Sequence, residues 1–349
     1  MKNICLHFQV HQPFRLNTFS FMDIGNGMPY YNENLNNEIL RRVSLQSYLP
    51  ANRVLLKLIK ASNRQLRVNF SISGTALDQF EIYMPELIES FRALTDTGCV
   101  EFMADTYSHS LAALKSKEEF NLQVKKHAAR ITGLFGSSPK VFCNTTQLYN
   151  KTIADMGAAM GFNATLTNSA FPKEKIINLF IDYQTFGKFH EHADMITGFA
   201  KYLPDEILQQ NNYLLQPSEV TKLLPTVAAI MRPQTATVPE ETYDLQPWLN
   251  NDMQQDAFDT LYTLGNKVRA TDDAQLKQDW LYLQSADHFY YMGIHQEAVN
   301  SLSPYDNPFD AFINYMNVLT DFSLRTDHSL EKKKIISNGR YTLEAGLHL

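Results

Sequence analysis

The chain of 349 residues contains few cysteines, and those it has are scattered. Cys5, Cys99 and Cys143 lie far apart, and no two of them have the spacing of metal ligands. Each lies in or beside an apolar segment typical of a strand. We therefore expect reduced thiols in the core of a cytoplasmic protein, without disulfides and without a cysteine-bound metal.

Long hydrophobic runs and an excess of positive charge are also missing. No segment approaches the ~18 consecutive apolar residues of a membrane span. His7, Gln9 and His11 interrupt the first apolar run, which argues against a signal peptide. The formal net charge of −6 argues against a nucleic-acid-binding surface, and the short basic run 332–334 is expected to lie in a solvated tail.

The first half of the chain alternates strand-like and helical patterns. The strand-like segments are ICLHFQV (4–10), VNFSIS (68–73), CVEFMA (99–104), KVFCN (140–144), ATLTN (164–168) and IINLFIDY (176–183). Among the helices between them, one begins at Ser116 with a capping box to Glu119, and another covers Thr152–Met160. This alternation predicts an α/β fold with a parallel sheet. Because no glycine-rich phosphate loop is present, a (β/α) barrel is favoured.

The second half has long helical patterns and no strand alternation. They cover residues 252–268, 273–294 and 308–322. We therefore expect a barrel domain over residues 1–250, a helical bundle packed on it over 251–325, and a peripheral tail over 326–349.

Polar residues follow several of the predicted strands, where a barrel carries its chemistry. His11 and Gln12 follow the first strand, Glu101, Asp105 and His109 lie in or after the third, and a turn with Thr145 and Thr146 follows the fourth. Asp182 follows the last strand, and Asp287 and His288 precede the aromatic run FYYM in the helical half.

Most of these residues have a structural alternative. Glu101 could be a paired core carboxylate, His109 a helix cap, and Asp287 with His288 a hydrogen bond between helix and barrel. Asp182 is harder to explain in this way, because an ionised group after the most apolar strand costs several kcal/mol without a partner or a role. Acids, amides, histidines and aromatic rings at one end of a barrel suggest a carbohydrate cleft.

Five segments in order resemble the five conserved regions of glycoside hydrolase family 57, most closely its α-amylase-like branch. They are FQVHQPFRL, GCVEFMADTYSHSL, FCNTTQLYN, FIDYQTFG and LQSADHFYYM, and the match as a whole runs from about Ile4 to Phe322. The resemblance implies an incomplete (β/α)7 barrel followed by a helical bundle. It also implies a retaining enzyme that acts on α-glucans without a metal or an organic cofactor.

The resemblance also shows departures at the catalytic positions. The family's third region has a pattern like Phe-Arg-Asn-Thr-Glu, in which the Glu is the nucleophile. Here Thr146 stands at that Glu and Cys143 at the Arg, whereas Asp182 keeps the position of the acid/base. Three further positions differ, because Gln184 and Asp105 replace glutamates and Ser108 replaces a tyrosine. Only 36 residues lead from Thr146 to Asp182, so a loop that is long in the α-amylase-like branch is short here.

A retaining mechanism needs two carboxyl groups about 5–5.5 Å apart, and an un-ionised threonine hydroxyl needs an adjacent base. One hypothesis is therefore a catalytically silent protein that binds carbohydrate or regulates its metabolism. A second is an active enzyme with altered chemistry: inverting hydrolysis with Asp105 or Glu101 acting on water, or another reaction using Asp182 and His11. A third is a metal-dependent polysaccharide deacetylase, although the second histidine expected four residues after His109 is absent.

An α-glucan or a maltooligosaccharide is the expected ligand. The positions expected to bind it are His11, Gln12, Glu101, Asp105, His109, Trp248, Asp287 and His288.

Overall fold

The computed structural model describes residues 3–148, 150–166, 176–188, 213–223, 245–294 and 303–346. The strands within these ranges are β1 (Asn3–Val10), β2 (Val68–Ile72), β3 (Val100–Phe102), β4 (Val141–Cys143), β5 (Ala164–Leu166), β6 (Ile176–Asp182) and β7 (Tyr213–Leu214). Each of the six predicted strands therefore forms, with ends that differ by up to two residues.

Helices separate most of these strands, and further helices follow them in the second half of the described chain. They are α1 (Glu33–Val43), α2 (Leu49–Ala61), α3 (Gly74–Tyr83), α4 (Glu86–Thr95), α5 (Lys117–Phe135), α6 (Lys151–Ala159), α7 (Tyr183–Lys188), α8 (Pro217–Leu223), α9 (Gln246–Leu249), α10 (Asp252–Thr263), α11 (Gly265–Ala270), α12 (Ala274–Leu283), α13 (Ala286–Tyr290) and α14 (Pro308–Gly346).

Strand β1 lies at the centre of a parallel sheet. It pairs with β2 on one side and β6 on the other, β7 pairs with its amino-terminal end, and β3 pairs with β2. Strands β4 and β5 form a second parallel pair, which a bridge between Ala104 and Phe142 joins to the chain leaving β3. The predicted α/β class with a parallel sheet is confirmed, whereas closure into an incomplete barrel stays a prediction.

The two faces of this sheet differ in chemistry because side chains alternate along a strand. Leu6 and Phe8 of β1 lie on the face that packs with the helices, in a core that includes Phe70 of β2. His7 of β1 and Asn69 of β2 are buried on the opposite face. The candidate functional residues of the strands belong to this polar face.

The chain divides into two compact units that interleave along the sequence. The first contains residues 1–12, 34–109 and 120–243, and the second contains 13–33, 110–119 and 244–349. This division differs from the three consecutive segments expected from the sequence. Within the second unit, the buried Asp321 of α14 accepts hydrogen bonds from the Gly25 N–H at 2.6 Å and the Tyr30 hydroxyl at 2.5 Å, and this anchors the segment 13–33 to the helices.

Two of the three long helical patterns of the second half each form two shorter helices, and the third forms a helix longer than expected. The pattern 252–268 forms α10 and α11, and the pattern 273–294 forms α12 and α13. The expected tail is part of the 39-residue α14. Thr326 is fully buried, and Lys333 pairs with Asp272 at 2.9 Å, so the first part of the tail packs with its unit. Among the described helices, none is long and apolar enough to cross a membrane.

Candidate functional site

Asp105 lies after β3, near the carboxyl-terminal ends of the strands, and contacts several polar groups. It is fully buried, and its two oxygens accept hydrogen bonds from the Ser71 hydroxyl at 2.9 Å and the Thr106 N–H at 2.7 Å. His109 Nδ1 lies 3.7 Å from Asp105 Oδ2. Burial alone would raise the pKa of Asp105, but His109 and Ser71 outweigh it and hold the pKa below its ordinary value.

His127 of α5 binds the backbone of Asp105. Its Nδ1 accepts the Asp105 N–H at 3.1 Å, and its Nε2 lies 2.7 Å from the Ile72 carbonyl oxygen. An imidazole that accepts at one nitrogen and faces a carbonyl with the other is neutral and protonated at Nε2. Burial lowers the pKa of His127, which agrees with this neutral form.

Two histidines stack beside Asp105. The rings of His11 and His109 are 4.4 Å apart, and His11 Nδ1 lies 2.7 Å from the Ser73 hydroxyl, which also accepts the Ala76 N–H at the start of α3. His109 has a φ of +53°, in the left-handed region. The turn 105–109 thus brings a carboxylate and two imidazoles together.

This turn rests on the first residue of α3. A Cβ atom at Gly74 would lie 2.5 Å from carbon atoms of the Tyr107 ring, so only glycine allows the ring to approach this closely. The Tyr107 hydroxyl donates to the Asp78 carboxylate at 2.7 Å, and the Thr75 N–H donates to the Tyr107 carbonyl at 3.2 Å. Residues far apart in sequence therefore position Asp105 and His109.

The turn after β4 carries the position expected for the nucleophile. The buried Thr145 hydroxyl lies 2.7 Å from that of Thr106 and 3.4 Å from Asp105 Oδ1. Thr146 donates its hydroxyl to the Thr145 carbonyl at 2.8 Å. Thr146 and Gln147 have φ values of +53° and +60°, and a β-branched residue in this region is strained.

Asp182 is the last residue of β6, in register with Gln9 of β1, which is in turn in register with Ser71 of β2. Its side chain is exposed, and one carboxylate oxygen accepts the Thr185 N–H at 2.6 Å. Asp182 was expected to be buried at a cost of several kcal/mol, and this expectation is wrong because the side chain is exposed. Strand β6 is also less buried than its composition suggests, since Leu179 is 43% exposed.

Glu101 lies at a different level of the sheet from the residues above. It is in register with Asn69, which is in register with His7, and four residues of extended chain, about 13 Å, separate it from Asp105. One oxygen accepts the Ser218 N–H at 3.0 Å. Burial raises the pKa of Glu101, and the Ser218 hydrogen bonds only partly oppose this. This position does not support the expected place of Glu101 beside His11 and Asp105.

The three expected residues of the helical half belong to the second unit. Trp248 packs beside Tyr290, with ring centroids 6.0 Å apart, and Asp287 accepts the Ser285 hydroxyl at 2.8 Å. His288 is buried, with Nε2 3.3 Å from the Tyr282 carbonyl oxygen, which is the environment of a core histidine. Their approach to a sugar stays a prediction.

Comparison with known proteins supports the resemblance. Residues 5–170 match the family model described as Glycosyl hydrolase family 57. A protein of Methanocaldococcus jannaschii named "Putative alpha-amylase" is 28% identical over 97% of this chain and 87% of its own length. The chain is thus similar to glycoside hydrolase family 57 over residues 5–170.

Two solved structures, one of them described as a GH57-type enzyme, share the fold. The branching enzyme of Pyrococcus horikoshii matches with a TM-score of 0.60 and 11% identity, over 95% of each chain. The 4-alpha-glucanotransferase of Thermococcus litoralis matches with a TM-score of 0.50 and 12% identity, over 83% of this chain. This chain spans 48% of the length of that transferase. At such identities the likeness shows the fold alone.

Two other departures from the family 57 pattern carry no charge in this structure: Cys143 is buried and Gln184 is partly buried. Burial, followed by the charge of Asp105, raises the pKa of the Cys143 thiol, so this side chain is uncharged where the family has an arginine. Gln184 accepts a hydrogen bond at 3.1 Å from Gln12, whose amide also donates to the Tyr48 hydroxyl at 3.2 Å. An amide contact thus stands where a family glutamate would bring a charge.

No group of three or more His, Cys, Asp and Glu side chains among the described residues is arranged to hold a metal ion. The deacetylase alternative stays a hypothesis.

Several supporting residues were not anticipated from the sequence. They are Ser71, Ser73, Thr106 and His127. The signal for His127 was present, because it lies on the apolar stripe of its helix between Val124 and Ile131. Ser71 and Ser73 alternate with core residues in and after β2, which indicated that their face is polar.

Proposed function

We propose that the chain binds an α-glucan or a maltooligosaccharide at the carboxyl ends of its parallel strands and does not hydrolyse it. The observation that carries this proposal is the state of Thr146. Thr146 stands at the position that the resemblance assigns to the nucleophile. Its backbone is strained, and its hydroxyl donates a hydrogen bond to the Thr145 carbonyl. A hydroxyl without an adjacent base does not attack an anomeric carbon.

Asp105 is a poor replacement for the missing nucleophile. Its oxygens already accept hydrogen bonds from Ser71 and Thr106, and it is fully buried. A pKa below the ordinary value keeps it ionised near neutral pH, so it cannot act there as a general acid. These features suit a residue that orients His109.

The polar groups that surround Asp105 are suited to sugar hydroxyls. Imidazole and amide side chains offer both donors and acceptors. His11 and His109 supply the imidazoles beside Asp105, and Gln12, the residue after His11, supplies an amide that contacts Tyr48 and Gln184. The exposed carboxylate of Asp182 adds an acceptor. From the resemblance we propose Trp248 and Asp287 as further sugar-binding residues, while the environment of His288 favours a structural role.

Binding and turnover are to be measured separately on the purified chain. Calorimetric titration with maltoheptaose is expected to show binding that His109→Ala weakens at least about tenfold, with Lys151→Ala, an exposed residue of α6, as the control. Soluble starch, maltooligosaccharides and an aryl α-glucoside are expected to show no hydrolysis or transfer.

Two results would overturn the proposal. Turnover that is lost in Asp182→Asn would show an active enzyme with altered chemistry that uses this carboxylate. An absence of binding to every α-glucan tested would remove the ligand. Turnover that Asp182→Asn leaves unchanged would point to a contaminating enzyme, and repeating the assay after further purification decides between these cases.

A further inference from the structure

A row of polar side chains crosses the sheet one level away from the site described above. His7 of β1, Asn69 of β2 and Glu101 of β3 are in register on adjacent strands, on the face opposite the apolar core. His7 and Asn69 are only 1% and 0% exposed. Strands of a parallel sheet that is buried on both faces are ordinarily apolar on both, so this row needs an explanation.

Each of the three side chains leaves one acceptor atom buried and without a hydrogen-bond partner among the described residues. These atoms are His7 Nδ1, Asn69 Oδ1 and Glu101 Oε1. Their sister atoms are engaged: the Asn69 amide donates to the Leu6 carbonyl at 3.0 Å, and Glu101 Oε2 accepts the Ser218 N–H. While Glu101 is ionised, none of these three atoms can donate a hydrogen bond to another, so the row requires a donor or a cation.

The environment of His7 is that of a metal ligand. Its Nε2 lies 3.2 Å from Asn178 Oδ1, an acceptor-only atom, so Nε2 carries the proton and Nδ1 presents a lone pair. The ring also stacks on Phe180 at 4.7 Å, which sets its plane. A ligating histidine in proteins typically has its second nitrogen held by such an acceptor.

Charge also favours a cation over water alone. Glu101 is the carboxylate of the row, and its Oε1 is buried without a hydrogen-bond partner among the described residues, so a cation at this atom would offset a buried charge. The nearby Arg67 is engaged with Glu219 at 3.0 Å. Glu101 is only partly buried, which gives a small ion access to the row.

We propose that His7, Asn69 and Glu101 bind a divalent transition-metal cation such as Zn²⁺ or Mn²⁺. One imidazole nitrogen with amide and carboxylate oxygens is the mixed donor set that such ions accept, and water completes the coordination. The row contains only two side chains of the His, Cys, Asp and Glu types, and its third ligand is an amide. It is therefore not a group of three such side chains, the kind that the described residues lack. Nothing in this inference depends on sugar binding.

The test uses the full chain, stripped of metal with EDTA and then dialysed free of the chelator. Calorimetric titration with ZnCl2 and MnCl2 is expected to show one site per chain. Glu101→Gln keeps the size of the side chain and an oxygen for Ser218, and is expected to weaken binding at least about tenfold. Asn178→Leu removes the acceptor that holds the His7 tautomer and is expected to weaken binding about 10- to 100-fold.

The matched control is Glu219→Gln, which removes a neighbouring carboxylate that is not part of the row and is expected to change affinity less than about twofold. An anomalous difference peak beside His7 Nδ1 in crystals soaked with ZnCl2 is the second measurement. Equal weakening by Glu101→Gln and Glu219→Gln, no stoichiometric binding, or a peak only at surface residues would each overturn the proposal.

Discussion

Three buried histidines of the first unit show how the contacts of a ring decide its role. His127 has both nitrogens engaged by backbone atoms and holds the Asp105 N–H. His109 pairs with the Asp105 carboxylate and stacks on His11. His7 has one nitrogen engaged and one without a described partner. A structural, a candidate sugar-binding and a candidate metal-binding role thus follow from the partners, since the residue type is the same.

The buried His7 makes stability depend on pH. Burial lowers its pKa from 6.5 to about 4 in the folded state, against a smaller opposing effect of Asn178. Between these values the unfolded chain binds a proton that the folded chain does not. The free energy of unfolding therefore falls as the pH drops from about 6.5 to about 4, by a total of about 3 kcal/mol from this residue.

His7→Gln is expected to remove this part of the pH dependence. Urea unfolding in EDTA, measured every half unit from pH 7 to pH 4, should give a shallower slope for His7→Gln than for the unmodified chain. The control His328→Gln changes an exposed histidine and should keep the original slope. Equal slopes for all three proteins would contradict the neutral buried state of His7.

At the scale of elements, short turns between strands and helices position the site. The turn 105–109 lies against the start of α3, where Gly74 lets the Tyr107 ring approach. The segment 13–33 of the second unit is held in a comparable way, because Asp321 and Asn314 of α14 accept its N–H groups. Neither contact is visible as a sequence motif, since each joins residues from separate elements.

Gly74→Ala is expected to destabilise the protein by about 1–3 kcal/mol, because the new methyl group overlaps the Tyr107 ring. The control is Gly133→Ala in α5, where a Cβ atom would meet nothing within 4 Å. That change is expected to stabilise the helix by up to about 1 kcal/mol. Denaturant midpoints give both values, and similar effects of the two changes would refute the packing argument.

Asp321→Ala is expected to cost about 2–4 kcal/mol, because the Gly25 N–H and the Tyr30 hydroxyl lose their charged acceptor. Asp310→Ala serves as the control, since Asp310 lies in the exposed first turn of the same helix. Limited proteolysis should cut the segment 13–33 faster in Asp321→Ala alone. Unchanged cleavage would mean that other contacts suffice to hold the segment.

At the scale of the whole molecule, the central question is whether one substitution separates this chain from an active enzyme. Thr146→Glu would place a carboxylate at the position of the family nucleophile. We expect turnover to stay far below ordinary enzyme rates of about 1 s⁻¹. The uncharged Cys143 and Gln184 provide no charge partner to orient a new glutamate, and a misplacement of about 1 Å costs on the order of 10²-fold.

The measurement compares maltooligosaccharide cleavage by Thr146→Glu with that of the unmodified chain. Gln147→Glu is the matched control, because it introduces the same charge one residue away in the same turn. Turnover near 1 s⁻¹ for Thr146→Glu alone would mean that the rest of a catalytic site is intact.

The alternation of apolar segments by itself determined the α/β class, the six longer strands and two helices of the first half, α5 and α6. These features depend on local periodicity, which the chain carries whatever its surroundings. The order of five motifs likewise indicated the relationship to family 57. One half of the predicted Ser116 capping box forms, with the Glu119 N–H donating to the Ser116 hydroxyl at 3.2 Å, whereas the Ser116 N–H donates to the Ala112 carbonyl.

Only the tertiary structure decided which polar residues meet. Strand register places Glu101 beside Asn69 and His7 and away from Asp105, and a register is set by pairing between distant segments. Long-range contacts also assign residues 13–33 and 110–119 to the second unit. The hydrogen bond between His127 and the Asp105 N–H is another such contact. Such contacts depend on how surfaces of separate elements fit together, and no pattern within a single segment records that fit.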